Sequence, residues 1–268
     1  VLHGAFRGMP HIETMSHEGK ITSYLNVIFF NVMQFVRLGI NQIWVFDGKP
    51  PTIKSGELAK RKKNRENATE KIKTEKDAEK VEKLKKISTP LPDYMCPDTQ
   101  TLLTHMGIQW VIAPEEGEAY CSYLNKEGKC DYVWSLDADC FMFGAKQGIR
   151  PTKEGSKKVY YTYDRADILE QLEISESQFL LMGICMGTDF SEKIPRIGAK
   201  TVIKKIGEHF NLTKSQKLAL AYFKKAPYKN PTVNKSKFSK KKLTKFLVDN
   251  GFNMGRLSTH IDDLEKSQ

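Results

Sequence analysis

Apolar residues recur at helical spacing in the first strongly patterned stretch of the chain, residues 21–38, which ends before Gly39. This spacing predicts an amphipathic helix, and a glycine directly after such a run is a common helix stop. Residues 42–46 (QIWVF) then form a β-branched and aromatic run that ends at Asp47-Gly48. That run predicts a short strand closed by a turn.

A second stretch of mixed pattern lies between residues 99 and 136. Helical spacing over 99–106 is followed by an apolar run at 109–114, helical spacing over 117–127 and another apolar run at 132–136. A strand, a helix and a strand joined by short connections predict a parallel sheet. The crossover helix brings the chain back to the end where the first strand began, so the second strand runs in the same direction. Two more short apolar runs predict further strands, at 141–144 and 159–163.

Residues 57–87 carry few apolar side chains and more Lys and Arg than Asp and Glu. Helix-forming residues and pairs such as Glu79 with Lys83 predict a helix here, broken near Asn67-Ala68-Thr69. Its charge alone fits two interpretations equally well. The segment is either a solvated surface helix or a surface that contacts a nucleic-acid strand. The C-terminal part of the chain is predicted to be helical at 164–172, 175–187, 199–209, 239–250 and 255–266, with a basic loop at 224–242.

The chain is basic, with 43 Lys and Arg against 32 Asp and Glu and a formal net charge of +11. A balance of this kind favours a polyanionic partner, most simply nucleic acid. No apolar run reaches the roughly 18 residues of a membrane-spanning helix, so we expect no membrane association. The five cysteines are scattered without metal-ligand spacing, which predicts reduced thiols and an intracellular protein.

Acidic side chains stand at the ends of three predicted strands. They are Asp47 after the first strand, Glu116 and Glu118 after the second, Asp137 and Asp139 after the third, and Asp189 after a later apolar helix. Because the carboxyl ends of parallel strands meet at one edge of an open sheet, we expect these acids to share a crevice. One acid at a strand end is usually a turn or helix-cap residue, but several together repel one another and are costly to desolvate.

Divalent cations remove this conflict between neighbouring carboxylates. Oxygen ligands without His or Cys select Mg²⁺ or Mn²⁺ over Zn²⁺. Mg²⁺ binds few protein ligands and keeps several waters, so six acids suit two ions better than one. Two ions roughly 4 Å apart can activate a water and stabilise the leaving oxygen of a phosphoryl displacement. The acids therefore predict a two-metal site that acts on phosphate esters.

Four segments carry a family resemblance: 45–61 (VFDGKPPTIKSGELAKR), 113–121 (APEEGEAYC), 135–144 (SLDADCFMFG) and 186–206 (from MGTDF to IPRIGAKTVIKKI). In this order they resemble the flap endonuclease branch of the structure-specific 5′ nucleases, whose relatives include those named for xeroderma pigmentosum group G and exonuclease 1. The resemblance runs from about residue 20 to the C-terminus. It implies an α/β fold with a twisted, mostly parallel sheet flanked by helices, in a single nuclease domain over 1–268.

The resemblance implies two helical parts beside the sheet. Residues 54–90 would form a helical arch through which a single-stranded 5′ flap threads. Residues 164–268 would form a helical duplex-binding half that contains a helix–two-turn–helix element.

The resemblance also implies roles for individual residues. The first ion would bind Asp47, Glu116 and Glu118, and the second would bind Asp137, Asp139 and Asp189, some of them through water. Lys54 and Arg61 match basic residues that contact the scissile phosphate. The implied catalytic residues are these two together with Asp47, Glu116, Asp137 and Asp139. The residues implied to bind nucleic acid are Arg65 in the arch and Gly198, Lys200, Thr201, Lys204 and Lys205 in the helix–two-turn–helix element, whose loop is also implied to bind K⁺.

This chain departs from the family pattern in two places. One turn reads Arg196-Ile197-Gly198, where the family has Gly-Ile-Gly. The family also carries a seventh carboxylate in an N-terminal strand, and no segment here matches it, so we expect the chain to start after that strand. No QxxLxxFF-like tail follows the last predicted helix, so no sliding-clamp peptide is expected.

The expected function is Mg²⁺-dependent cleavage next to 5′ flaps in branched DNA, in replication or repair, by a monomer that also has 5′ exonuclease capacity. The expected location is the nucleus in a eukaryote, and otherwise the cytoplasm or a viral replication site. Two alternatives stay open: a catalytically impaired fragment that binds DNA structures, and a bubble-cutting or 5′ exonuclease relative. The short charged insert argues against bubble cutting, because those relatives carry a much longer one.

Overall fold

The computed structural model describes residues 16–205, 210–225, 233–234 and 236–267, with all their side chains except those of Ser16 and Lys158. The α-helices of these ranges are α1 Ser23–Val36, α2 Ser55–Ile72, α3 Ala78–Ser88, α4 Met95–His105, α5 Gly117–Lys126, α6 Asp139–Met142, α7 Arg165–Gln171, α8 Glu176–Met186, α9 Ala199–Lys205, α10 Lys214–Lys224, α11 Lys240–Asp249 and α12 Ser258–Lys266. None of them is both long enough and apolar enough to cross a membrane.

The strands are β1 Ser16–His17, β2 Lys20–Ile21, β3 Ile43–Phe46, β4 Gln109–Ile112, β5 Val133–Trp134, β6 Gln147–Glu154 and β7 Lys157–Asp164. The predicted α/β class is confirmed. The strands form three small sheets: β1 with β2, β3 with β4, and β5–β6–β7 in that order. β5 and β6 are parallel, and the longest ladder is the antiparallel pair β6–β7. The described strands therefore form small mixed sheets and not one mostly parallel sheet, and the predicted pairing of 109–114 with 132–136 is wrong, because β4 pairs with β3 and β5 pairs with β6.

Strand β6 was not predicted, because Pro151 and several charged residues interrupt its apolar pattern. The feature of the sequence that indicates β6 is the turn that follows it. Glu154 pairs with Lys157, which leaves the two-residue loop Gly155-Ser156 between the strands, and Gly155 has a φ of +61°. Two-residue hairpin loops need positive φ, which glycine adopts without strain.

The strand predicted at 141–144 is wrong, because these residues complete α6 and the turn after it. The backbone N of Asp139, the first residue of α6, donates a hydrogen bond to Asp137 Oδ1 at 3.0 Å, which forms a local turn directly before the helix. Gly144, with a φ of +90°, lies in the turn that ends it. A short apolar run fits a buried helical turn as well as a strand, so the pattern alone could not decide.

The charged run forms helices as expected, but the break predicted at 67–69 is wrong. α2 continues through these residues, and Ala68 is buried within it. The break lies at 73–77, where the Asp77 side chain accepts hydrogen bonds from two backbone N–H groups in the first turn of α3. A local cap therefore sets the boundary, rather than the weaker helix formers upstream.

The described residues divide into two compact units. The first unit comprises 16–46, 63–111, 233–234 and 236–267, and the second comprises 47–62, 112–205 and 210–225. The core of the first unit is formed by α1, α4, α11 and α12 and includes the fully buried Tyr24, Phe29 and Leu243. The core of the second unit is aromatic, with Phe143, Phe190 and Phe223 in mutual contact. All six predicted metal ligands belong to the second unit.

Candidate metal centre

Three carboxylates form a compact group in the second unit. Asp47 directly follows β3, Glu116 directly precedes α5, and Glu118 lies in the first turn of that helix. One ligand oxygen from each residue can be chosen so that the three atoms lie within 4.8 Å of one another. Ligand oxygens on opposite sides of a Mg²⁺ ion lie about 4 Å apart, so small shifts of these side chains would let one such ion bind all three.

Backbone contacts hold the two loops of this group together. The backbone N of Gly117 donates to Asp47 Oδ1 at 2.7 Å, and the backbone N of Gly48 donates to the Glu115 carbonyl at 2.6 Å. A Cβ at Gly48 would lie 2.1 Å from the Ala113 carbonyl oxygen. Gly48 was predicted only as a turn residue, but here glycine is needed because two backbones approach closely.

The other three acids are placed by separate segments of the same unit. Asp137 and Asp139 follow β5, and Asp189 lies in the loop after α8. Among the described residues, no three-atom group as close as the first includes any of these three acids. Their charges nevertheless act on one another: burial first, and then the charges of Asp137, Asp189 and Glu118, raise the pKa of Asp139 to about 7.

The first group shows the same conflict. Burial raises the pKa of Glu116 in spite of the Lys54 ammonium beside it. Burial and the charge of Asp47 raise the pKa of Glu118. Without cations the ionised set is unfavourable, because each raised pKa means that the folded protein favours the protonated acid. Crowded carboxylate oxygens of this kind are hard ligands, which fit Mg²⁺ or Mn²⁺.

Two basic side chains reach these acids. Lys54 Nζ lies 2.6 Å from Glu116 Oε2 and 3.2 Å from Asp189 Oδ2. Arg61 donates to Asp189 Oδ2 at 2.7 Å and to Glu57 Oε1 at 3.0 Å. Burial alone would lower the pKa of Lys54, but the hydrogen bond to Glu116 and the nearby charges outweigh it, so the pKa is raised and the ammonium stays charged.

Two residues that support these cations were missed by the sequence analysis. Glu57, four residues before Arg61 on α2, forms an ion pair with it. The Phe190 ring centroid lies 5.5 Å from Lys54 Nζ, in the range of a cation–π contact. The i, i+4 spacing of Glu57 and Arg61 was visible in the sequence, whereas no local pattern relates Lys54 to Phe190.

The expected helix–two-turn–helix element, residues 186–206, runs from the last residue of α8 through the loop 187–198 into α9. The helix predicted over 199–209 is described only as far as Lys205, and residues 206–209 lie outside the described part of the chain. The Gly198 carbonyl accepts hydrogen bonds from the backbone N of Thr201 and of Val202, both at 2.9 Å. Arg196 has a φ of +62°, so this turn keeps a glycine-like backbone although its residue is arginine.

The predicted nucleic-acid contacts lie on helices or beside them. Lys200, Lys204 and Lys205 are exposed on α9, where Thr201 is partly buried, and Arg65 lies partly buried on α2. The nucleic-acid-binding roles of these residues stay predictions.

All five cysteines of the chain are free thiols.

Two family models match the chain, and both belong to the XPG family. Residues 1–68 match the family described as the XPG N-terminal domain, and residues 107–189 match the XPG I-region. Flap endonuclease 1-A of Sorghum bicolor is 35% identical over an alignment 289 residues long, gaps included, which covers 97% of this chain and 75% of the relative. Flap endonuclease 1 of Methanosarcina acetivorans is 35% identical over 209 residues, which cover 73% of this chain.

The chain spans 62% of the length of that archaeal relative, and 61% of flap endonuclease 1 from Methanococcoides burtonii. Among solved structures, flap endonuclease-1 from Methanococcus jannaschii matches with a TM-score of 0.68 and 29% identity, over 94% of this chain and 84% of that one. Human GEN1 in complex with Holliday junction DNA matches with a TM-score of 0.64 over 99% of this chain and 70% of that one, but at 17% identity it shows only a shared fold.

Proposed function

Because the chain belongs to the flap endonuclease branch of the XPG family, we propose that it is a structure-selective endonuclease that hydrolyses DNA next to a 5′ flap. One observation carries the proposal: six carboxylates and two paired cations, predicted from separate motifs, occupy the same compact unit. Branched DNA with a 5′ flap is the proposed substrate, inside the cell, in replication or repair.

The proposed cofactors are two Mg²⁺ ions, for which Mn²⁺ can substitute. Asp47, Glu116 and Glu118 would hold the first ion, since their oxygens already lie within 4.8 Å of one another. Asp137, Asp139 and Asp189 would hold the second, in part through the waters that Mg²⁺ retains. When bound, such a pair of ions activates water and stabilises the leaving oxygen.

Lys54 and Arg61 are proposed to bind the scissile phosphate. Both side chains are charged and lie beside the acids, so they need little rearrangement to meet developing negative charge. Their present ion pairs with Glu116 and Asp189 keep them near the reacting phosphate before DNA binds.

Duplex binding is proposed for the loop 187–198 and α9. The amide of Gly198 with Lys200, Thr201, Lys204 and Lys205 would contact phosphates without reading sequence. Arg65 on α2 would contact the flap strand. The glycine-like turn at Arg196 is compatible with the K⁺-binding loop expected from the resemblance.

The test is cleavage of a labelled 5′-flap duplex with Mg²⁺. Asp137→Ala is expected to lower the cleavage rate at least ~100-fold, as loss of a key electrostatic group does. Asp167→Ala, an exposed acid of the same unit on α7, is the matched control and is expected to cut at the wild-type rate. Equal cleavage by all three proteins would refute the metal mechanism, and salt-sensitive flap binding without cutting at any Mg²⁺ concentration would favour a DNA-binding role instead.

A further inference from the structure

Tyr222 on α10 contacts residues that adjoin several carboxylates of the candidate centre. Its hydroxyl donates a hydrogen bond to Glu115 Oε2 at 2.8 Å. Its ring centroid lies 5.8 Å from that of Phe143 and 5.0 Å from that of Phe190. These three partners come from three different segments of the second unit.

Each partner is close in sequence to a predicted metal ligand. Glu115 directly precedes Glu116, and Phe190 directly follows Asp189. Phe143 directly follows α6, which begins at Asp139. A single side chain therefore connects the segments that carry three acids of the centre. Nothing in the proposed reaction assigned a role to Tyr222.

The two consecutive glutamates have different partners. Glu116 pairs with Lys54, while Glu115 accepts from Tyr222 through its side chain and from the backbone N of Gly48 through its carbonyl. Glu115 is thus held at both ends, by α10 and by the loop that carries Asp47. Loss of the hydrogen bond from Tyr222 to the Glu115 side chain would leave the loop that carries Glu116 with one contact fewer to hold it in place.

We propose that Tyr222 is a positioning residue of the metal centre. Its hydroxyl fixes Glu115, and through it the loop 113–117, in the place where Asp47 and Glu116 can bind one ion. The inference rests on the metal binding proposed above, and it assigns to α10 a part in ordering the centre. Residues that hold ligand-bearing segments in place are expected to affect metal affinity without touching the ion.

Tyr222→Phe tests this role because it removes the hydroxyl and keeps the ring. The Mn²⁺ affinity of the DNA-free protein, measured by titration calorimetry, is expected to fall on the order of tenfold. The matched control is Tyr161→Phe, which removes a hydroxyl hydrogen-bonded to Glu154 on the exposed hairpin β6–β7. That control is expected to bind Mn²⁺ like the wild type.

A second pair of variants addresses the partner. Glu115→Gln keeps an acceptor for the hydroxyl and is expected to retain Mn²⁺ affinity within about twofold, whereas Glu115→Ala is expected to weaken it as Tyr222→Phe does. Combining Tyr222→Phe with Glu115→Ala should add little, because both changes remove the same contact. In cleavage assays, the Mg²⁺ concentration for half-maximal rate should rise while KM for flap DNA stays the same.

The outcomes separate this inference from the function it rests on. If wild type binds Mn²⁺ and Tyr222→Phe binds it equally well, the positioning role is refuted and the proposed function stands. A lowered melting temperature with unchanged Mn²⁺ affinity would likewise reduce Tyr222 to a packing residue. If wild type binds no Mn²⁺, both proposals fail.

Discussion

Lys54 and Arg61 pair with carboxylates that the proposed metal ions also use. Lys54 Nζ lies within 3.2 Å of oxygens on Glu116 and Asp189, and Arg61 lies 2.7 Å from Asp189. In the DNA-free protein these cations would compete with the proposed metal ions for the same oxygens. A phosphate that draws the cations away would therefore favour metal binding, which links the two binding events.

Lys54→Ala is predicted to have opposite effects on metal binding and on cleavage. Mn²⁺ affinity without DNA should rise roughly threefold to tenfold, a change of about 1 kcal/mol, because one competing cation is gone. Flap cleavage should fall about 100-fold, because a charge at the scissile phosphate is lost. Calorimetry and single-turnover cleavage measure the two, with the exposed Lys60→Ala as control, and a parallel loss of both would contradict the competition.

Arg196 is the residue-scale departure from the family, and its φ of +62° carries strain. An L-residue in the left-handed region costs roughly 1–2 kcal/mol, which glycine avoids. Arg196→Gly is therefore predicted to be more stable than Arg196→Ala by about 1 kcal/mol in chemical denaturation, since both lose the same side chain. An alanine variant at least as stable as the glycine variant would show that the turn is not strained.

At the scale of elements, close backbone approach decides how the carboxylate-bearing loops meet. The helix and strand patterns predicted α1, β3, β4 and α5 near their observed bounds. They did not predict that the loop after β3 contacts the loop before α5 through Gly48 and Glu115. Secondary structure thus delivers the acids, and this loop contact brings Asp47 to Glu116.

Gly48→Ala is predicted to disrupt that contact. The new Cβ would meet the Ala113 carbonyl at 2.1 Å, so the loops must separate, at a cost of about 1–3 kcal/mol of unfolding free energy. Mn²⁺ affinity should fall together with stability. Gly56→Ala is the matched control: its Cβ meets nothing within 4 Å, and α2 should be unchanged or stabilised by up to ~1 kcal/mol. Wild-type stability in Gly48→Ala would exclude the steric argument.

At the scale of the whole molecule, the acids lower stability when no metal is present. A carboxyl whose pKa is raised on folding binds more protons in the folded than in the unfolded state between its two pKa values. Stability therefore falls as pH rises through that window. For Asp139, with a pKa of about 7 in the folded protein, the window runs from its ordinary value of 3.8 up to about pH 7, and Glu116 and Glu118 shift in the same direction.

Added Mg²⁺ should reverse this trend, because it binds the deprotonated acids. The rise in melting temperature caused by saturating Mg²⁺ is predicted to be larger at pH 8 than at pH 5.5. Thermal melts followed by circular dichroism measure it, with Asp139→Asn as a variant in which the difference between the two pH values shrinks. The same Mg²⁺ effect at both pH values would show that the acids do not bind the ion.

Sequence patterns were enough to predict the α/β class, which the structure confirms, and to single out the three acids Asp47, Glu116 and Glu118 that the fold brings together. Helical spacing, short apolar runs and acids at strand ends are local signals, and the motifs that carry Asp47, Glu116 and Asp137 were readable for that reason. Local signals failed at 141–144, where a helical turn and a strand would bury the same apolar side chains. They also failed for β6, whose main signal is the turn at Gly155 and not an apolar pattern.

Which groups act on one another follows from the folded structure and not from sequence patterns. The contacts of Lys54 with Asp189 and Phe190, and of Tyr222 with Glu115, join residues far apart in the chain, and no periodicity encodes them. Burial likewise sets the pKa of Asp139, because desolvation depends on what packs around the carboxyl and not on its neighbours in sequence. Chain order places the acids at the ends of elements, and packing determines their distances and charge.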